Sequence, residues 1–179
     1  MGRRLCEGLP VEIRLMDYRA LNEKFDRIIS VGMFEHVGNK NYSTFFKIVN
    51  KSLNDDGLFL LHTIGSIKSE KTIGLWTNKY IFPNGMLPSI AQIGKAIEIF
   101  FVMEDWHNFR ADYFKTLIAW FNNFDKNWGK ISDKYPVYFY RMWKYYLLSS
   151  AGGFKAGRDQ LWQIVLSKNG VPEGYNSLR

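Results

Sequence analysis

Two periods of apolar residues alternate along the chain. Val11-Glu12-Ile13-Arg14-Leu15-Met16 alternates apolar and polar positions and stops at Asp17-Tyr18, which predicts a strand, and the more apolar run Phe25 to Val31 predicts a second. Tyr42, Phe45, Phe46, Val49 and Leu53 fall at helical spacing, and Asn54-Asp55-Asp56-Gly57 supplies the turn that ends that helix. Leu58 to Leu61 reads as a third strand. Pro83-Asn84-Gly85 and Pro88 mark a loop, after which Ser89 caps a short helix through Ile90, Ile93 and Ile97, followed by a strand over Ile99 to Met103. From Ala111 the pattern turns helical: Phe114, Leu117, Ile118 and Phe121 form one stripe, and Val137 to Leu148 is apolar on nearly every side. Gly152-Gly153 is expected to break that helix, and Leu161 to Leu166 reads as a last strand. The first ten residues read as the tail of a helix. Strands alternating with helices predict an α/β fold. With no repeat, low-complexity segment or linker, the chain reads as one unit.

Composition narrows the class. The 179 residues are 46% hydrophobic and 17% aromatic, enough for one sizeable core. No apolar run approaches the about 20 residues that span a bilayer, and Met1-Gly2-Arg3-Arg4 is not followed by a signal-type segment. A lone cysteine, Cys6, precludes an internal disulfide and fits a reducing compartment, so a cytoplasmic location is expected. The net charge of +7 implies attraction to polyanions. Its cations are scattered, however, which is equally the pattern of a solvated basic surface.

Candidate chemistry sits where apolar runs give out. Ile28-Ile29-Ser30-Val31-Gly32 leads into Met33-Phe34-Glu35-His36, and Leu58-Phe59-Leu60-Leu61 leads into His62-Thr63-Ile64-Gly65. Ligands of open α/β sheets gather in the crevice beyond the carboxyl ends of the strands, so Glu35 and His62 are expected to face one pocket. Taken alone, Glu35 also fits a helix-capping loop residue and His62 a buried, hydrogen-bonded histidine. His36 and His107 read as structural, and three spread histidines with one cysteine offer no metal-ligand spacing. The glycine-rich turn that usually follows the first strand of a nucleotide fold is absent from this sequence.

Six segments together carry a resemblance: Asp17-Tyr18-Arg19, Asp26 to Gly38, Leu61 to Gly65, Tyr80-Ile81-Phe82-Pro83-Asn84-Gly85, Leu87-Pro88-Ser89 and Glu104 to Phe109. In register over about Cys6 to Lys168, they resemble the cyclopropane-fatty-acyl-phospholipid synthase family. The resemblance implies an incomplete Rossmann-like class I methyltransferase sheet with a helical, aromatic-rich cover inserted at about residues 111–150, the whole of 1–179 being a partial S-adenosylmethionine-dependent methyltransferase domain. It implies transfer of a methylene from S-adenosylmethionine to the cis double bond of a phospholipid acyl chain, with bicarbonate as base. Carried over by position, Glu35, His62, Ile64 (through its backbone) and Tyr113 would hold the bicarbonate. Asp17, Tyr18, Val31 and Gly32 would border S-adenosylmethionine, and Tyr80 and Phe82 would line the acyl pocket. The implied setting is the cytoplasmic face of an anionic membrane, with peripheral attachment, phospholipid acyl chains as partners, and no nucleic acid.

This sequence departs from the family pattern in two ways. The family's glycine-rich cofactor motif, ribose-binding acid and bicarbonate-contacting cysteine are not matched here, and Ser150 stands where many relatives have cysteine. The strands over Val11 to Tyr18 and Phe25 to Val31 are therefore each expected to lack a neighbour, so that the chain is unstable, is completed by an amino-proximal segment or a second copy, or rearranges so that the two strands meet, and it is expected to be inactive alone. C-methylation of an unsaturated lipid without ring closure, and a non-catalytic membrane- or nucleic-acid-binding fragment, are the alternatives.

Overall fold

A computed structural model describes residues 1–177. Its centre is a four-stranded sheet of β1 (Phe25–Val31), β2 (Leu53–Ser66), β3 (Val102–Asn108) and β4 (Asp159–Ser167), in the order β1-β2-β4-β3. β1 runs parallel to β2, and β4 runs antiparallel to both β2 and β3. Six helices accompany it: α1 (Gly2–Leu5), α2 (Tyr42–Ser52), α3 (Leu75–Tyr80), α4 (Ile90–Ile97), α5 (Arg110–Asn127) and α6 (Phe139–Ala156).

Strand alternation divides the sheet into two apolar faces. Phe59, Leu61 and Thr63 of β2 stand opposite Leu166, Ile164 and Trp162 of β4, all fully or almost fully buried. This face packs against Tyr42, Phe45, Phe46 and Val49 of α2 and Ile93 and Ile97 of α4. Their helical spacing is the stripe read from the sequence. Ser89 accepts from the Gln92 N–H while the Gln92 side chain accepts from the Ser89 N–H, so α4 starts on a full capping box. On the opposite face, Ile64 of β2 and Leu161 of β4 meet Leu117 of α5 and Leu147, Ala151 and Phe154 of α6.

Four expectations change. Residues 11–16 join no ladder: Leu15 is 98% exposed, and Arg14 pairs with Glu12 and Glu23. Alternation makes a strand only where a sheet edge accepts it. The strand expected at Ile99 begins at Val102, because Phe100 and Phe101 donate their N–H groups to the Ile97 carbonyl and prolong the turn after α4. The third strand runs on to Ser66, so His62 lies within it and not past its end; antiparallel pairing with β4 carries β2 beyond the point where β1 stops. At its start, Asn54 to Gly57 loop out while the partner moves only from Phe25 to Arg27. Finally, Gly152-Gly153 does not break α6, which ends at Gly157 with φ of +82°. A Cβ on Gly153 would overlap the Asp159 carboxylate, so this glycine lets the start of β4 pass close to the helix.

β1 is an edge strand with β2 as its ladder partner, and Ile29 and Val31 are 65% and 64% exposed. Gly65 lies under Trp162, whose ring a Cβ would overlap, whereas Gly94 in α4 has open space around the same position. Gly65→Ala is therefore expected to destabilise the fold by about 1–3 kcal/mol through overpacking, and Gly94→Ala to stabilise it by about 0.5–1 kcal/mol through helix propensity. Urea denaturation measures both; the opposite order would contradict the packing described.

Candidate functional site

The site begins where β1 ends. Val31 stands opposite His62, and the Gly32 N–H still donates to the His62 carbonyl at 3.2 Å. Gly32 then adopts a φ of +65°, and the chain turns away from the sheet into the tight turn Phe34–His36. Phe34 anchors that turn by stacking on Tyr42 with ring centres 4.2 Å apart. Glu35 is thereby held over the vacated edge of β2. Its Oε1 accepts from the Ile64 N–H at 2.7 Å, and its own carbonyl accepts from the Met86 N–H at 2.8 Å. The side chain is buried, and Oε2 has no hydrogen-bond partner.

A cavity of about 760 Å³ opens beside this carboxylate. Glu35, Ile64, Gly32 and Ser66 form its sheet side, and Tyr113, Leu117, Tyr146 and Phe154 its helical side. Burial raises the Tyr113 phenol above its ordinary value, and the Glu35 carboxylate raises it further. Burial also pushes Tyr146 up to about 12, with Tyr113 adding to the effect. Both phenols therefore keep their protons at neutral pH and can donate. The buried Glu35 acceptor and the two phenol donors suit a small oxyanion carrying a hydroxyl group, and Glu70, Arg158 and Asp159 add charged groups elsewhere in the lining.

His62 lies one rung behind Ile64 on the same face of β2 and is not part of the cavity lining. Its Nδ1 is 3.2 Å from Gln163 Nε2. An amide nitrogen only donates, so Nδ1 accepts and the imidazole carries its proton on Nε2. Burial lowers the pKa of this ring, against a smaller opposing pull from Glu35. Among the residues expected around a cofactor, Gly32 borders the cavity, with open space where a side chain would be. Val31 lies beside it at the exposed strand end. Asp17 and Tyr18 do not line the cavity: Asp17 is held by Arg19, which lowers its pKa to about 2, and Tyr18 packs edge-on against Phe45. Phe82 lines the cavity and meets Tyr146 at 5.9 Å, whereas Tyr80 stands outside the lining against Trp76.

Several lining residues carried no signal in the sequence. His36, read as structural, borders the cavity and meets Phe82 edge-on at 5.9 Å. Tyr145 and Tyr146 were hidden in an evenly apolar helix, and the rim from Thr72 to Thr77 has no periodicity to betray it. Ser149 of α6 also lines the cavity, as does Ser150, which the sequence had set apart as standing where many relatives have cysteine. No group of three His, Cys, Asp or Glu residues fit to hold a metal is found among the described residues, nor any helix long and apolar enough to cross a membrane.

Comparison with known proteins agrees with this architecture. The chain is 55% identical, over all 179 residues, to the cyclopropane-fatty-acyl-phospholipid synthase of Escherichia coli K12, of which it covers 47%. It is 35% identical over 166 residues to sphingolipid C9-methyltransferase A of Emericella nidulans, covering 88% of this chain and 32% of that one. The chain thus spans about half the length of the E. coli relative or less of these curated relatives. Among solved structures, mycolic acid cyclopropane synthase CmaA1 complexed with SAH and CTAB superposes with a TM-score of 0.84 at 26% identity, over 93% of this chain and 65% of that one. The cyclopropane synthase MmaA2 from Mycobacterium tuberculosis has the same TM-score and coverage at 24% identity and speaks for the fold alone. The model of the mycolic acid cyclopropane synthetase family matches residues 7–164. With its parallel β1–β2 pair, its antiparallel β4 and the cavity beyond β1, the chain belongs to the mycolic acid cyclopropane synthetase family.

Proposed function

We propose that this chain is the catalytic carboxyl-terminal part of a cyclopropane-fatty-acyl-phospholipid synthase-type methyltransferase, which adds a methylene from S-adenosylmethionine across the cis double bond of a phospholipid acyl chain. The observation that carries this reading is the Glu35 carboxylate, with one oxygen fixed by the Ile64 N–H and the other buried without a partner beside the Tyr113 cavity. When bound, S-adenosylmethionine supplies an electrophilic methyl carbon on a sulfonium, and bicarbonate supplies the base for the proton lost as the ring closes.

The chain's own residues serve those two groups. Glu35 Oε2 is an acceptor suited to a bicarbonate hydroxyl, and the Tyr113 phenol is a donor suited to its anionic oxygens. His62, neutral and held by Gln163, lies within the field of Glu35 and supports the same end of the site. Gly32 offers bare backbone at the end of β1, where a cofactor can approach closely. Asp17, Tyr18 and Val31 are proposed to border that cofactor once the edge of β1 is covered. The helical pair α5–α6, Phe82 and the α3 segment with Tyr80 form the apolar cover over the acyl chain, close to the expected 111–150 insertion. The apolar wall excludes water from a carbocation that water would otherwise trap.

The experiment joins this chain to the amino-proximal half of the E. coli relative and incubates it with S-adenosylmethionine and unsaturated phospholipid. Loss of olefinic protons with appearance of cyclopropyl protons is expected. A methyl-branched product that keeps its unsaturation would favour the chemistry named for the sphingolipid methyltransferase relative, and no product would overturn the reading. In that protein Glu35→Gln keeps an acceptor for Ile64 but turns the free oxygen into a donor. Turnover should fall by about 10²–10⁴-fold while S-adenosylmethionine affinity changes little. Equal turnover would remove Glu35 from the chemistry.

A second expectation concerns pH. Because burial holds His62 below its ordinary 6.5, the unfolded chain binds more protons between the folded value and 6.5. The stability due to neutral His62 is complete above that window and is lost as pH falls through it. Denaturation of wild type and His62→Asn at about pH 7.5 and about pH 5.5 should show their stabilities converging at the lower pH. A constant gap would contradict a buried neutral imidazole.

A further inference from the structure

The connection between α5 and α6 combines exposed apolar side chains with a local excess of cations. Two short turns, Trp128–Lys130 and Ser132–Lys134, lead through Tyr135-Pro136 to Val137, which is 98% exposed, and Tyr138, which is 63% exposed. Five cations lie between positions 125 and 144 (Lys126, Lys130, Lys134, Arg141 and Lys144), against the carboxylates of Asp125 and Asp133. All five are exposed, and none is in a salt bridge among the described residues. The Tyr140 hydroxyl donates to Asp125, Lys130 donates to the Asn127 side chain, and Lys144 lies over the Phe121 and Tyr140 rings, so the cationic excess of the tip is not neutralised by a carboxylate.

Behind this exposed tip runs a continuous row of rings. Tyr135 stacks on Phe139 at 4.3 Å, Phe139 on Trp143 at 5.8 Å, Trp143 meets Tyr146 at 5.1 Å, and Tyr146 meets Phe82 at 5.9 Å. Tyr146 and Phe82 line the cavity. Spacings of four and three residues, from Tyr135 through Phe139 and Trp143 to Tyr146, therefore build an apolar track from the tip to the proposed site of reaction.

We propose that residues 126–144 form the surface by which the protein sits on an anionic phospholipid bilayer, with Val137 and Tyr138 entering the interface, the surrounding Lys and Arg on the headgroups, and the aromatic row guiding an acyl chain to the cavity. The inference rests on the lipid-modifying reading above. Charge complementarity selects the occupant. Anionic headgroups attract such a cluster, and tyrosine with an aliphatic neighbour suits the boundary between headgroups and chains. A second copy of this surface would bring like charges together. Single-stranded nucleic acid is held by stacking on successive free ring faces, but here Trp128, Tyr135 and Phe139 stack on one another and the most exposed apolar side chain of the tip is a valine.

Flotation of the full chain with phosphatidylglycerol–phosphatidylethanolamine vesicles tests this, with phosphatidylcholine vesicles and a single-stranded oligonucleotide as the other arms. Lys130→Ala/Lys134→Ala should weaken binding to the anionic vesicles by about 25-fold, about fivefold for each charge removed. Val137→Asp/Tyr138→Ser should weaken it at least as much. The control Lys40→Ala/Lys47→Ala, in the turn before α2 and in the middle of that helix, should change it far less, and all variants should melt as wild type does. Equal loss in the control pair, wild-type binding by both tip variants, or tighter binding to the oligonucleotide than to anionic vesicles would each overturn the proposal. Flotation is read without turnover. Tip-dependent binding by a chain that forms no modified lipid would therefore uphold this surface and refute only the reaction, and product formed from dispersed lipid with tip-independent flotation would do the reverse.

Discussion

Everything at the site depends on a backbone amide that lost its strand. β1 serves β2 as far as the Val31–His62 rung, and the chain then turns away at Gly32. Two residues further along β2, the Ile64 N–H points to the same vacated side. Leaving such a buried donor unpaired costs about 1–3 kcal/mol, and the Glu35 carboxylate answers it at 2.7 Å. Together with the Phe34–Tyr42 stack, that bond fixes where the Phe34–His36 turn sits, with the Glu35 carbonyl on the Met86 N–H and the other carboxylate oxygen buried and unengaged. A structural repair of the sheet edge thus creates the polar end of a largely apolar cavity.

The cavity has a corresponding asymmetry. Its sheet side carries the carboxylate, the Ile64 backbone and Gly32, while its helical side combines Leu117, Ser149 and Ser150 with aromatic rings whose row continues along α6 to a basic, exposed tip. Chemistry that develops positive charge near a fixed anion, on a substrate that is mostly hydrocarbon, fits both ends. Less well matched is the cofactor side. Gly32 is available, but Asp17 is engaged by Arg19, Tyr18 packs on Phe45, and β1 offers a bare edge next to them.

What the sequence disclosed follows from range. β1, α2 and the Ser89 cap are written in neighbouring residues, as period, stripe and capping box, and the structure contains them where the pattern places them, except that α2 ends at Ser52 and Leu53 opens β2. The extent of β2 is not local. Leu58 to Leu61 is apolar, but His62 to Ser66 remain a strand only because β4, about a hundred residues later, pairs with them. The same dependence removes residues 11–16 from the sheet, since their alternation meets no open edge. Gly152-Gly153 looked like a break because a glycine's local preference is visible, whereas the close pass of Asp159 that Gly153 permits is not. At the site, Glu35 stood out as an acid after an apolar run, while the roles of Ile64 and Tyr113 came only through the family resemblance. Tyr145 and Tyr146 were indistinguishable from core.

Amide hydrogen exchange at Ile64, followed by NMR in the wild-type chain and in Glu35→Ala, tests the central claim most directly. A charge-assisted bond of about 1.5–3 kcal/mol predicts that Ile64 exchanges about ten- to a hundredfold faster in the variant, while Leu61 and Thr63 keep their protection. Unchanged protection at Ile64 would mean that the carboxylate does not complete the sheet edge, and the account of the site built on it would fail.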